Sequence, residues 1–169
     1  FHTVDPLAGS ESLYFDTETT FISIEQIDAS NQEIRLGNAT TIDFTGIALV
    51  NVVDIYASND VDNVTGSAGD DIILGRNGND ILSGGDGVDT IDGGNNDDVI
   101  NGGDGNDILR GGAGVDILNG GDGDEVFEVT GTEGRDDTFN GDAGTDVIRN
   151  IGTGNITFNS GSAFSSIEE

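Results

Sequence analysis

With 169 residues, 34% of them apolar and 6% aromatic, the chain has room for one domain but not for a bulky globular core. Its 33 acidic residues face five basic ones, all arginine, for a formal net charge of −28, which excludes nucleic acid and disfavours an anionic membrane surface, since both partners require cationic groups. No cysteine is present to form a disulfide or thiolate metal site, and no apolar run approaches the length of a membrane span, so no direct membrane insertion is expected.

So acidic a composition would by default be disordered. The periodicity overrides that default, because 28 glycines with a single proline fit neither a collagen triplet nor a Pro-rich linker and must serve turns. Residues 1 to 56 come first and carry short alternating segments without glycine turns, such as Glu33-Ile34-Arg35-Leu36 and Thr41-Ile42-Asp43-Phe44. They predict an N-terminal β segment, free of metal, that caps whatever follows. His2 is the only histidine and is read as inert.

From Gly66 to Glu128 seven nine-residue units run in tandem: GSAGDDIIL, GRNGNDILS, GGDGVDTID, GGNNDDVIN, GGDGNDILR, GGAGVDILN and GGDGDEVFE. Each divides into a glycine-rich turn and a strand too short to stand alone. The eighth positions, Ile73, Leu82, Ile91, Ile100, Leu109, Leu118 and Phe127, form an apolar ladder that stacked coils would bury in one slender core, with Val64 and Ile55 as fainter earlier rungs. Seventh positions such as Ile72, Ile81 and Ile108 would point the other way. The ninth positions read Leu, Ser, Asp, Asn, Arg, Asn, Glu, with no rank of threonines of the kind an ice-binding face would need.

The sixth positions form a second ladder: Asp71, Asp80, Asp89, Asp98, Asp107, Asp116 and Glu125, with Asp62 as an earlier member. If turns stack at the sheet spacing of roughly 4.8 Å, neighbouring carboxylates repel by on the order of 3 kcal/mol at an effective dielectric of 20. Cations are therefore required. Carboxylates with turn carbonyls are hard oxygen ligands whose number and flexibility suit Ca²⁺ better than Mg²⁺.

After Glu128 the period breaks through Val129 to Asn140, where Asp136 or Asp137 is a further candidate ligand, and one good unit, GDAGTDVIR, returns at Gly141 with Asp146 and Ile148 in place. Residues 150 to 169 are expected to form a second β cap. Residues 13–26 align without a gap with residues 156–169, five positions being identical: Phe15 with Phe158, Phe21 with Phe164, Ser23 with Ser166, Ile24 with Ile167 and Glu25 with Glu168. This offset of 143 predicts one period of a tandem array with junctions near residues 20 and 163.

The units resemble the RTX, or haemolysin-type, repeats of secreted bacterial toxins, proteases, lipases, epimerases and adhesins, with G-G-x-G-x-D-x-U-x met at every specified position in the units starting at Gly84, Gly102 and Gly111. The resemblance implies an all-β, right-handed parallel β-roll over residues 57–149, interrupted at 129–140, with a calcium-free cap at each end. It implies calcium between repeat n and repeat n+2, about six ions in all, between Asp71, Asp89, Asp107 and Glu125 on one side and Asp62, Asp80, Asp98 and Asp116 on the other. Turn carbonyls at second and fourth positions would join them: Ser67 and Gly69, Arg76 and Gly78, Gly85 and Gly87, Gly94 and Asn96, Gly103 and Gly105, Gly112 and Gly114, Gly121 and Gly123. Ser67, Arg76, Asn96 and Glu125 depart from the family pattern. Asn tolerates the left-handed region, so the Asn96 turn should survive, whereas Glu125 puts its site in doubt.

Adjacent acids such as Asp97-Asp98 are ligand plus solvated neighbour rather than a catalytic pair, and with no Ser-His-Asp set and no lysine the chain is not expected to be an enzyme. The resemblance further implies a secreted or cell-surface protein of a Gram-negative bacterium, exported unfolded. The expected function is a calcium-rigidified structural module of an adhesin-like protein, whose partners are calcium and neighbouring modules of the same chain. The alternatives are an accessory domain of a secreted enzyme or toxin and a polysaccharide-binding module, the latter expected to show aromatic platforms or a basic groove.

Overall fold

The computed structural model describes residues 12–15, 26–38, 41–131, 136–153, 155 and 163–167. Each of the five identical pairs in the terminal alignment has at least one member outside these residues. The strands are β1 (Ser12–Phe15), β2 (Gln26–Leu36), β3 (Thr41–Asp43), β4 (Ala48–Tyr56), β5 (Asn63–Thr65), β6 (Ile72–Asn77), β7 (Ile81–Asp86) and β8 (Thr90–Asn95). They continue as β9 (Val99–Asp104), β10 (Ile108–Ala113), β11 (Ile117–Asp122), β12 (Val126–Val129), β13 (Thr138–Ala143), β14 (Val147–Asn150) and β15 (Ala163–Ser165). There is no helix among the described residues.

From β4 onward, successive strands fall alternately into two parallel sheets, one ordered β1-β2-β4-β6-β8-β10-β12-β14 and the other β15-β13-β11-β9-β7-β5-β3. A nine-residue unit is thus half a coil, and each residue pairs with the one 18 positions on: Ile73 with Ile91, Leu82 with Ile100. This is a parallel β-solenoid. It forms because a three-residue apolar segment bounded by glycine turns can bury its central side chain only against the same segment of the opposite half-coil.

The eighth positions accordingly interdigitate, with Ile55, Ile73, Ile91, Leu109 and Phe127 of the first sheet facing Val64, Leu82, Ile100, Leu118 and Phe139 of the second, all buried. Larger rings fill the ends. Phe127 meets Phe139 edge-on at 5.6 Å between centroids, and Phe15 meets Phe44 at 6.4 Å.

Two expectations are refined. The segment 129–140 is not a gap in the stack: Thr138 pairs with Ile117, 21 residues earlier rather than 18, so three extra residues lengthen one turn while Phe139 takes the core rung. Strands β1 to β4 extend the same two sheets before the repeats begin, and Ile34, Ile42 and Phe44 continue the core there.

The two outer faces differ. Along the first sheet the ninth positions carry Asp92, Arg110, Glu128 and Arg149, where Arg110 bridges Asp92 at 3.0 Å and Glu128 at 2.7 Å, and Arg149 reaches Glu128 at 2.8 Å. At the N-terminal end of that face Arg35 and Arg76 each lie 4.8 Å from the ring of Tyr56. Along the second sheet the same positions hold Ser83, Asn101, Asn119, Asn140 and Ser165, joined by side-chain hydrogen bonds from Asn119 to Asn101 (2.8 Å), Asn140 to Asn119 (2.6 Å) and Ser165 to Asn140 (2.8 Å).

Inward and outward neighbours should therefore differ sharply in their contribution. Leu82 is 0% exposed and Ile81 46%; Leu82→Ala should cost about 2–5 kcal/mol and Ile81→Ala about 1 kcal/mol or less, read by urea unfolding in calcium. Equal losses would contradict the single slender core.

Candidate metal centre

The sixth-position carboxylates form two rows, each buried. In one, the backbone N–H of Asp62 donates to Asp80 Oδ1 (2.8 Å), that of Asp80 to Asp98 (2.8 Å), that of Asp98 to Asp116 (2.9 Å) and that of Asp116 to Asp137 (2.9 Å). In the other, Asp71 donates to Asp89 and Asp89 to Asp107, each at 2.8 Å, and Glu125 donates to Asp146 at 2.9 Å. One oxygen of each Asp acceptor is thereby fixed against the preceding turn on its own side.

The second oxygens of Asp80, Asp89, Asp98 and Asp107, and both oxygens of Glu125, are buried without a hydrogen-bond donor. A buried anionic oxygen left in this way costs several kcal/mol, and the cost is relieved by a proton or a cation. The extra methylene of Glu125 is the reason its carboxylate departs from the aspartate pattern.

Glycine at the first position of each turn follows from this geometry rather than from backbone freedom. A Cβ on Gly84 would collide with Asp89 Oδ2 and come within 2.7 Å of the Gly102 carbonyl oxygen, so the donorless oxygen and a carbonyl of the next same-side turn converge on one point. From the turn at Gly75 onward the second and fourth positions adopt positive φ, and Cβ atoms on Gly103 and Gly105 would strike the carbonyl oxygens of Gly85 and Gly87, which point along the stack. Among the described residues no three His, Cys, Asp or Glu side chains gather at one point. A cation taken here would be held by backbone carbonyls with one or two carboxylates, a hard, flexible oxygen set that fits Ca²⁺.

The departures are accommodated. Asn96 adopts a left-handed φ of 77° and keeps its turn, while Arg76, with φ of 78°, turns its side chain out onto Tyr56 and leaves only backbone in the turn. Two features were missed in the sequence, the first-position carbonyls and Ser58, and of the two candidates Asp136 and Asp137 the structure places Asp137 in the row. Asp137 was visible only as one of two adjacent acids in a broken period; Thr138-Phe139-Asn140, which resembles Thr90-Ile91-Asp92 with an apolar residue two places after the carboxylate, was the signal that selects it.

Burial raises the carboxyls of these turns above the ordinary value of 3.8, Asp80 to about 6 and Asp89 and Asp98 to about 7, with Asp71 and Asp107 also shifted upward; the N–H bonds from the preceding turns oppose the shift at Asp80, Asp89, Asp98 and Asp107. Glu125 is raised by burial first and by its Asp146 neighbour second.

A solenoid whose turns stack carboxylates and carbonyls along two edges presents the same set of hard oxygen donors turn after turn. The RTX calcium-binding nonapeptide repeat matches residues 56–91, 92–124 and 131–149 in four copies, and the chain belongs to that family. Repeats of this family bind calcium and occur typically in secreted bacterial proteins, and their β-roll is a structural fold, not typically catalytic. No curated protein and no solved structure matches the chain.

The raised carboxyls predict opposite pH responses with and without metal. Between the ordinary value and about 7 the folded chain holds protons that the unfolded chain has released, so in chelator the roll is most stable at acid pH and loses stability as pH rises through 6 to 7. Calcium requires the deprotonated ligands, so with calcium stability falls as pH drops through the same range. Melting curves at pH 5 and 7.5 should cross in this sense. A higher Tm at pH 7.5 than at pH 5 in chelator would show that burial does not govern these groups.

Proposed function

We propose that this chain is a calcium-rigidified structural module of a secreted or cell-surface bacterial protein of the adhesin kind, folding when it meets extracellular calcium. The observation that carries the reading is the donorless, buried carboxylate oxygen repeated in turn after turn at Asp80, Asp89, Asp98, Asp107 and Glu125. About six ions would lie between same-side turns. Their ligands would be drawn from the carboxylates of the two rows, Asp146 and Asp137 among them, and from the turn carbonyls named above.

The energetics agree with a switch. With dissociation constants of about 10⁻⁴ M, as in extracellular modules, calcium at 100 times that value supplies about 2.7 kcal/mol per site, so several sites together match the whole stability of a typical domain, about 5 to 15 kcal/mol. In calcium-poor cytosol the same carboxylates keep most of the chain expanded, the form suited to export. Neighbouring modules of the same chain are the natural partners, because in a solenoid each further coil extends both sheets and the core.

Far-UV circular dichroism during a calcium titration tests this, with magnesium as control. A coil-to-β transition near millimolar calcium, absent with magnesium, is expected. Asp89→Asn or Asp107→Asn should move its midpoint to at least about threefold higher calcium. A chain equally folded in chelator and in calcium would overturn the reading.

A further inference from the structure

The second positions of the turns fall into two conformational classes, and the carboxylates follow them. Arg76, Gly85, Gly94, Gly103, Gly112, Gly121 and Asp142 have positive φ, whereas Ser58 and Ser67, at the same position of the first turn on each side, do not. In these two turns the Oδ2 atom of the carboxylate has two donors. The Ser58 N–H and hydroxyl donate to Asp62 Oδ2 at 2.8 and 2.7 Å, and those of Ser67 donate to Asp71 Oδ2 at 2.7 and 3.0 Å. Each hydroxyl also accepts an N–H two residues on, from Asp60 and Gly69, both at 3.1 Å. Both serines are buried, at 8% and 7% exposure.

These bonds occupy the oxygen that faces the metal gap elsewhere. A Cβ on Gly66 would lie 2.7 Å from Asp71 Oδ2 and would collide with the Gly84 carbonyl oxygen, the arrangement repeated at Gly84 with Asp89 and Gly102, but Asp89 Oδ2 has no donor and Asp71 Oδ2 has two. Where the turn is left-handed the second-position N–H is not offered to the carboxylate. Arg76 and Asp142 show that an L-residue can take up that conformation here, at a cost of about 1–2 kcal/mol, so what sets the two serines apart is the pair of N–H and hydroxyl bonds to the carboxylate, which replace what a cation would supply.

We infer that the first gap on each side of the repeat array is closed by serine instead of calcium, so that these two turns form without metal and, with the coils of β1 to β4 before them, provide the folded base on which the calcium-bound turns stack. The part concerning ion number rests on the calcium reading; the part concerning metal-free structure does not. The rows Asp62, Asp80, Asp98, Asp116, Asp137 and Asp71, Asp89, Asp107, Glu125, Asp146 define four gaps each, eight in all, and closing one per row leaves six.

Two measurements on the whole chain test the two parts. Residue-resolved amide exchange in chelator should show the Ser58, Asp60, Ser67 and Gly69 amides exchanging at least about tenfold more slowly than those of the turns from Gly84 to Gly123, which should gain that protection only with calcium. Calcium stoichiometry by equilibrium dialysis should rise from six to eight in Ser58→Gly/Ser67→Gly, where glycine can take up positive φ. In Ser58→Ala/Ser67→Ala it should stay at six while the chelator-resistant protection is lost. Uniformly fast exchange in chelator, or a glycine variant that folds in calcium with unchanged stoichiometry, overturns the inference. A chain that binds no calcium would refute the proposed function and the ion count, and the exchange pattern alone would then decide the serine closure.

Discussion

Everything in this molecule depends on how carboxylates can be stacked at the spacing of a β-sheet inside a protein. Parallel pairing at an offset of 18 residues brings Asp71, Asp89 and Asp107 into one row and Asp80, Asp98 and Asp116 into another, each buried where water cannot screen it. The backbone solves half of the problem, since each of these rows runs on N–H donors from the turn before. The other oxygen is left to a proton, a cation or, at Asp62 and Asp71, a serine. A fold that would be untenable as a pure anion ladder becomes a device whose stability is set by what fills those positions.

That arrangement also explains why so much of the fold was legible in the sequence. A nine-residue unit with one apolar rung, one carboxylate and fixed glycines has few ways to bury Leu82 or Ile100, and both ladders stand where the periodicity puts them. The nine-residue periodicity alone does not give the structural repeat of 18, which the family resemblance implied by setting alternate turns on opposite sides. Ninth positions that look irregular in sequence order, with Ser83, Asp92, Asn101, Arg110, Asn119 and Glu128 in succession, separate in space into an ion-paired row on one sheet and an amide and hydroxyl row on the other. Asp137 was obscured because a turn can lengthen by three residues without disturbing the strands on either side, and a scan at fixed period reads that as an interruption.

The division of the outer faces follows from the same charge balance. Arg35, Arg76, Arg110 and Arg149 all lie on the first sheet's outer face, three of them bridging the acids beside them. Exposed pairs of this kind contribute only about 0.2–1 kcal/mol each, so their effect is to lower local repulsion between adjacent coils rather than to hold the fold together. On the second sheet the Asn101-Asn119-Asn140-Ser165 ladder achieves the same coil-to-coil matching without any charge. Both rows act between neighbours only, as the core and the turns do.

A structure in which coils contact only their neighbours is quasi-one-dimensional, and such structures face a nucleation problem: the first coil has ordered its chain with nothing to stack on. If every turn needed calcium shared with a neighbour, the first turn could not be stabilised before the second. The serine-closed turns at Asp62 and Asp71 remove that circularity, because Ser58 and Ser67 lie only four residues from the carboxylates they serve. Local closure there, and metal-bridged closure from Asp80 and Asp89 onward, would give the calcium-bound part of the roll a metal-free base from which to grow. The departures from the repeat consensus at these two serines are then part of how the repeat begins.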